Sequence, residues 1–318
     1  MTSRKKCRVA ILMLRDNPFH KLTVTYFIDC LENAPPDIYE YSIIMHTYGY
    51  ELALKNRIQK LFLDKYDVLI PIGEVCTTAT KEALDEFGGH PTIFIGVFNA
   101  IKLNLIQSIE IPGGYVTGVT REYIPLENIV SWYLLLKPTI NSIVIPYLPI
   151  AAAGILFEQV IKLKKLFAEH GIQVFAAPIE RTQESIFEAL DAYRSRVQSV
   201  LCLEGCFSNA FQEEIAYYCW KNYLLFCGSG VTAISNGAAC AFAGEVRHCA
   251  TTAYQMLRAH WEQNTPISTI PVVIHPDNQE FFVNTDMLRK IKFPEDKITE
   301  LENNPSIKVV RKWINSPE

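Results

Sequence analysis

The sequence predicts an α/β protein built as two doubly wound lobes, and three observations carry that prediction. Short apolar runs rich in Val and Ile alternate with segments of helical period. The alternation stops at Pro112-Gly113-Gly114 and then starts again. A chain of 318 residues, 49% of them hydrophobic, is long enough to bury two cores of ordinary size. Strand-helix alternation of this kind builds a parallel sheet with helices on both faces.

In the first lobe, residues 9–14 read as a strand, 22–32 as a helix, 41–45 as a strand and 51–62 as a helix. Residues 68–72 follow as a strand, 77–87 as a helix and 92–97 as a strand. The second lobe begins with a helix at 126–136, a strand at 142–145, a helix at 157–170 ended by Gly171, and a strand at 174–177. It continues with a helix at 185–193, a strand at 200–203, a helix at 211–222 and strands at 224–227 and 238–243. After a helix at 247–263, Pro266, Pro271 and Pro276 favour extended chain, so the tail reads as a connector between lobes. The expected division is 1–120 plus about 246–274 for the N-terminal lobe, and 121–245 plus about 275–318 for the C-terminal lobe.

Composition excludes several classes of function. Only 20% of residues are charged, the formal net charge is −4, and no Lys/Arg block is present, so no electrostatic footprint for nucleic acid exists. No window of about 18 uncharged apolar residues occurs, so no membrane span is expected. Arg4-Lys5-Lys6 precedes an apolar run at 9–14 that Arg15 and Asp16 cut off, too short for a secretory core, so the chain as written is expected to carry no export signal. The nine cysteines, Cys7, Cys30, Cys76, Cys202, Cys206, Cys219, Cys227, Cys240 and Cys249, fall mostly inside apolar runs and read as reduced core thiols.

In open α/β sheets, ligands sit beyond the carboxyl ends of the strands. The candidate loops are therefore 15–20, 73–78 and 98–99 in the first lobe, and 146–149, 204–209 and 228–230 in the second. At Ile72-Gly73-Glu74-Val75-Cys76-Thr77-Thr78 a strand ends at glycine, and Thr77 or Thr78 is expected to cap a helix whose free N–H groups suit a carboxylate. An ordinary cap on an ordinary helix explains the same residues. Gly228-Ser229-Gly230-Val231-Thr232-Ala233 satisfies a dinucleotide glycine fingerprint, but the turn signal Asn236-Gly237 follows too soon for a proper helix. The loop reads instead as a site where the Ser229 hydroxyl and exposed amides, including that of Gly230, contact a small ligand. Asp16, Glu74, Glu122 and Glu204 are candidate partners for a ligand ammonium, or solvated loop charges. Phe19, Phe98 and Tyr147 are expected to make the site apolar, beside Asn99.

Catalysis finds little support. His20, His46, His90, His170 and His248 lack a nucleophile-base context, and no Gly-x-Ser-x-Gly elbow occurs. Cys202 with Cys206, or His248 with Cys249, lacks the paired spacing of a metal knuckle, and no phosphate-loop sequence is present. The expectation is a protein that is no enzyme and holds neither cofactor nor metal.

At Pro112-Gly113-Gly114-Tyr115-Val116-Thr117-Gly118-Val119-Thr120 the sequence resembles the signature of the ABC-transporter substrate-binding protein family that includes tryptophan- and tyrosine-binding lipoproteins. Residues 67–73, 91–97 and 143–149 resemble its strands, as does the stretch from Leu225 to Ala238, over a span of roughly 9–291. The resemblance implies a type I periplasmic-binding-protein fold, with two Rossmann-like lobes joined by three crossovers and a ligand cleft between them. It implies a small-molecule ligand bound by lobe closure, ABC permease and ATPase subunits as partners, a monomer, and a periplasmic or membrane-surface location. Phe98-Asn99 stands where members usually carry Thr-Asp, and Glu204-Gly205-Cys206 where they carry Thr-Asp-Asn. Two partners for a ligand ammonium are thereby lost, with Glu74 or Glu204 as substitutes and Phe98 free to stack on a ring. The expected ligand is an amino acid, possibly aromatic, or a related carboxylate. The alternatives are a cytoplasmic metabolite sensor or regulator on the same clamshell, or a two-lobed enzyme.

Overall fold

Apart from Arg8, the run CRVAILML at Cys7–Leu14 (β1) is unbroken by polar residues, as a strand buried on both faces of a parallel sheet must be. The computed structural model describes residues 5–15, 17–47, 51–121, 125–149, 155–180, 182–203, 207–244, 246–275 and 280–311. The chain divides into two compact units, Met1–Tyr123 with Glu245–Asp277, and Ile124–Gly244 with Asn278–Glu318.

In the first lobe β1 lies between β2 (Tyr39–His46) and β3 (Val68–Pro71), followed outward by β4 (Thr92–Phe98), β5 (Val116–Arg121) and β11 (Val273–His275). All pairings in this six-stranded sheet are parallel. Helices α1 (Pro18–Glu32) and α9 (Val246–Gln263) cover one face, where Val24, Phe27, Ala253 and Leu257 meet Val9 and Ile11. Helices α2 (Glu51–Leu63) and α3 (Gly73–Phe87) cover the other, with Leu54, Ile58 and Ala83 against Ala10 and Leu12. The edge strand β2 is half-exposed, in keeping with its mixed composition YEYSIIMH.

The second lobe repeats the winding. Its seven-stranded sheet runs β7 (Gln173–Pro178), β6 (Ser142–Tyr147), β8 (Ser199–Leu201), β9 (Leu225–Ser229), β10 (Cys240–Ala243), β12 (Glu280–Asn284) and β13 (Ile307–Val310). The first five strands are parallel, β12 is antiparallel to β10, and β13 is parallel to β12. Helices α4 (Leu126–Leu135) and α5 (Ile155–Glu169) lie on one face through Val130, Tyr133, Val160 and Phe167. Helices α6 (Gln183–Tyr193) and α7 (Gln212–Lys221) lie on the other through Ile186, Leu190, Ile215 and Cys219. The eight described cysteines are all free, seven of them buried and Cys30 partly so.

One sequence expectation needs correction here, one strand went unread, and the expected lack of a proper helix after Gly230 holds. The tail is not a bare connector: beyond β11 it supplies β12, α10 (Thr285–Lys290), α11 (Glu295–Glu302) and β13, and Phe281, Val283, Leu288 and Leu301 enter the second lobe's core. These elements are too short to show a period. Residues 116–121, which begin inside the Pro112–Thr120 signature and end one position past it, form the strand β5, an element the sequence reading left out. Gly228-Ser229-Gly230 is followed by a single helical turn, α8 (Val231–Ser235), before the Asn236-Gly237 turn.

Candidate ligand-binding site

The strand order reverses about β1 and β3 in the first lobe and about β6 and β8 in the second, and such reversals are where doubly wound sheets accept ligands. In the first lobe, Asn17 caps α1 by accepting from the His20 backbone N–H at 3.1 Å, which sets Phe19 and His20 in the first turn above the ends of the strands. The buried His20 ring accepts a hydrogen bond from the Leu14 N–H at 3.0 Å through Nδ1, so its remaining proton is on Nε2. Burial pushes the imidazole down to about 3, and it stays neutral at physiological pH. The same ring lies over Gly73, at the start of α3, whose φ is +72°. A Cβ there would stand 2.4 Å from His20 Nε2, so only glycine fits.

Next to this lock, Arg121 ends β5 and is only 5% exposed. Its guanidinium lies 4.8 Å from the centre of the Phe19 ring and 5.2 Å from that of Phe98. A bulge in β4 makes this arrangement. The register with β5 shifts between Ile95 and Val97, so that Phe98 pairs with Arg121, and the Thr120 hydroxyl donates to the Val97 carbonyl at 2.7 Å. Gly96, at the bulge, has φ +73°, and a Cβ there would lie 2.3 Å from Phe19 Cζ and 3.6 Å from Arg121 Cδ.

The expectation that Thr77 or Thr78 starts a helix is wrong. Helix α3 begins at Gly73 with Ile72 in the cap position and no side-chain cap bond. Thr77 is buried in the second turn, its hydroxyl donating to the Gly73 carbonyl at 2.8 Å, and Thr78 is half-buried beside it. Apolar packing carries Ile72 straight into the helix, so no polar cap is needed to begin it. Glu74 is half-buried in the first turn. Asn99 is exposed with φ +51°, and its side-chain oxygen accepts from the Lys102 N–H at 3.3 Å, which makes it a turn former after β4. Asp16, Glu122 and Glu204 lie outside the described residues.

In the second lobe, Tyr147 ends β6 at 8% exposure, 5.8 Å from the Phe157 ring. Ser229 ends β9 and is buried. The expectation of an exposed Gly230 amide fails, since that N–H donates to the Phe242 carbonyl at 2.8 Å and continues the ladder with β10. The turn is tied from beneath by buried Gln212, whose Nε2 donates to the Ser229 carbonyl at 2.9 Å. Gly228 is glycine for packing: a Cβ there would lie 2.5 Å from that of Ala233 in α8.

His20, Arg121 and Gln212 are the residues that sequence reasoning passed over as site residues. Arg121 had a usable signal, being the single charge that closes the apolar strand following the Gly113-Gly114 turn. Gln212 had none, because its partner lies 17 positions away.

The model of the family described as ABC transporter substrate binding protein matches residues 9–299. The chain belongs to that family. No curated protein sequence matches it. Among solved structures, this substrate-binding protein is similar to the ABC domain in complex with L-Trp from Streptococcus pneumonia, at 14% identity and TM-score 0.77, covering 95% of this chain and 100% of that one. It is also similar to a conserved domain protein from Vibrio cholerae, at 18% identity and TM-score 0.79, with 96% and 100% covered. A putative LacI transcriptional regulator from Bacteroides fragilis matches at 12% identity and TM-score 0.63, with 87% and 96% covered. Identities this low establish the fold, that of type I periplasmic-binding proteins, and nothing finer. The family in general binds small molecules for transporters, outside the cytoplasm or at the cell surface, and is not a family of enzymes. Among the described residues no helix is long and apolar enough to cross a membrane.

Proposed function

We propose that the chain is the solute-binding component of an ABC-type importer, taking an amino acid, with aromatic members favoured, or a related carboxylate. The observation that carries this reading is the carboxyl edge of the first lobe, where Phe19 and Phe98 flank a buried cation beside neutral His20. Flat apolar faces next to a few fixed polar groups are the make-up of a small-molecule site. The L-Trp complex of a structural relative agrees with the ligand class. The protein performs no catalysis, acts as a monomer and delivers its solute to permease and ATPase subunits from the periplasm or the membrane surface. A ligand touching both lobes favours a closed state by its differential contacts.

Native mass spectrometry of gently purified protein tests this directly. A single small amino acid or carboxylate is expected to be released on denaturation, and rebinding of it should shrink the radius of gyration in solution scattering. An empty protein that no amino acid or carboxylate stabilises against melting would reject the reading. The similarity to a LacI-type regulator supports a second one, a cytoplasmic metabolite sensor. Cross-linking in cells that recovers a soluble partner in place of a permease would favour it.

A further inference from the structure

At the C-terminal end of α7 the second lobe carries a surface patch in which aromatic rings and lysines alternate. Tyr217 and Tyr223 are 45% and 57% exposed, and the Tyr217 ring stands edge-on to that of Trp220 at 5.6 Å. Lys221 Nζ lies 4.8 Å from the centre of the Trp220 ring and 5.3 Å from that of Tyr217. The end of α10 joins from the side, with Lys290 Nζ 5.8 Å from the Trp220 ring and Lys292 Nζ 4.5 Å from the Tyr223 ring. Basic residues at helix ends complement the helix dipole, which explains a lysine there but not the exposed rings. Tyr223 and Lys292 stand one position beyond the caps of α7 and α10, with φ +56° and +60°. Glycine or asparagine ends a helix there without strain, so an exposed tyrosine and lysine at these two positions serve something other than the fold.

The chemistry of the patch selects its partner. The carboxylates of Asp286, Glu295 and Glu302 are gathered round Arg289, and Glu213 and Glu214 sit about two turns back along α7, so the patch itself is basic. Like charge opposes its use between two copies of this chain. Interfaces between proteins favour arginine and are depleted in lysine, whereas every cation over these rings is a lysine. Tyrosine rings with lysines beside them suit the headgroup layer of a bilayer, where anionic lipids attract the ammonium groups. We propose that this patch docks the second lobe on an anionic lipid surface, with Tyr217 and Tyr223 entering the headgroup layer and Lys221 and Lys292 meeting lipid phosphates. The inference goes beyond the solute-binding reading and holds whatever the solute.

Co-sedimentation of the full chain with vesicles of phosphatidylcholine alone, and of phosphatidylcholine and phosphatidylglycerol in equal parts, tests it. At low salt the anionic vesicles are expected to bind about 30-fold or more tightly than the neutral ones, and the difference should shrink as salt is added. Lys221→Gln combined with Lys292→Gln is expected to weaken anionic binding about tenfold or more. Tyr223→Gly suits the left-handed backbone, so it should leave the melting temperature unchanged or higher while weakening binding about threefold or more. Equal binding to both vesicles, or none to either at millimolar lipid, overturns the inference and needs no variant to fold. Anionic binding that survives the double lysine change at an unchanged melting temperature also overturns it. So does a photo-cross-link from position 223 in cells that captures an integral membrane protein and no lipid, which would give the patch to a protein partner.

Discussion

The Leu14 N–H that ends β1 donates to His20 Nδ1, and burial holds that imidazole neutral down to about pH 3. In the unfolded chain histidine titrates near 6.5, so between those values the unfolded state binds a proton that the folded state does not. The contribution to stability is full above pH 6.5 and is lost as pH falls toward 3, at up to about 1.4 kcal/mol per pH unit. His20→Gln keeps an acceptor for Leu14 and removes the titration. Urea denaturation is expected to show the unaltered protein losing more stability than this variant between pH 7 and pH 4. Parallel losses would show that His20 does not set the acid limit. His20 itself was visible in the sequence only as one of seven histidines, because its partners Leu14 and Gly73 approach it through the fold.

At the scale of elements, the Gly228-Ser229-Gly230 turn shows why a glycine pattern is ambiguous when read alone. Gly230 has φ +82° and feeds its N–H to Phe242, whereas Gly228 allows α8 to lie flush on β9. Both needs are structural. Gly228→Ala is expected to destabilise the protein by about 1–3 kcal/mol, since the new methyl group meets Ala233 and α8 must shift. The shift in urea midpoint measures it, and a midpoint within error of the unaltered protein would reject the packing account. Where an element has a long apolar run or a clear helical period, sequence and structure agree to within a few positions: 51–62 was read for the helix Glu51–Leu63, and 247–263 for Val246–Gln263. At 77–87 the start was misplaced by four positions, because the signal sought was a polar cap and the helix Gly73–Phe87 begins without one.

At the scale of the whole molecule, each lobe is completed by chain that returns late in the sequence. The first takes α9 and β11, and the second takes β12, β13, α10 and α11. Truncation after Asp277 removes Phe281, Val283, Leu288 and Leu301 from the second lobe's core. Loss of large buried side chains costs about 2–5 kcal/mol each, well beyond the stability of an ordinary domain when several are lost together. Limited proteolysis of the truncated protein is therefore expected to degrade the second lobe while fragments of the first persist. Equal resistance of both lobes would show that the returning strands are dispensable.

The sequence by itself determined the doubly wound class, the succession of strands and helices up to the long helix α9 apart from β5 and the short α8, and the family, because apolar period and the Pro112–Thr120 signature are local properties of the chain. Phe19 and Phe98 were legible as site candidates for the same reason, each lying in or just beyond a strand end. Only the tertiary structure decided which strands are neighbours, that β12 runs antiparallel, and that Phe19, Phe98 and Arg121 meet around one charge. Those facts depend on a bulge, on backbone conformations open to glycine, and on contacts between residues up to about a hundred positions apart, none of which leaves a periodic trace in the order of amino acids.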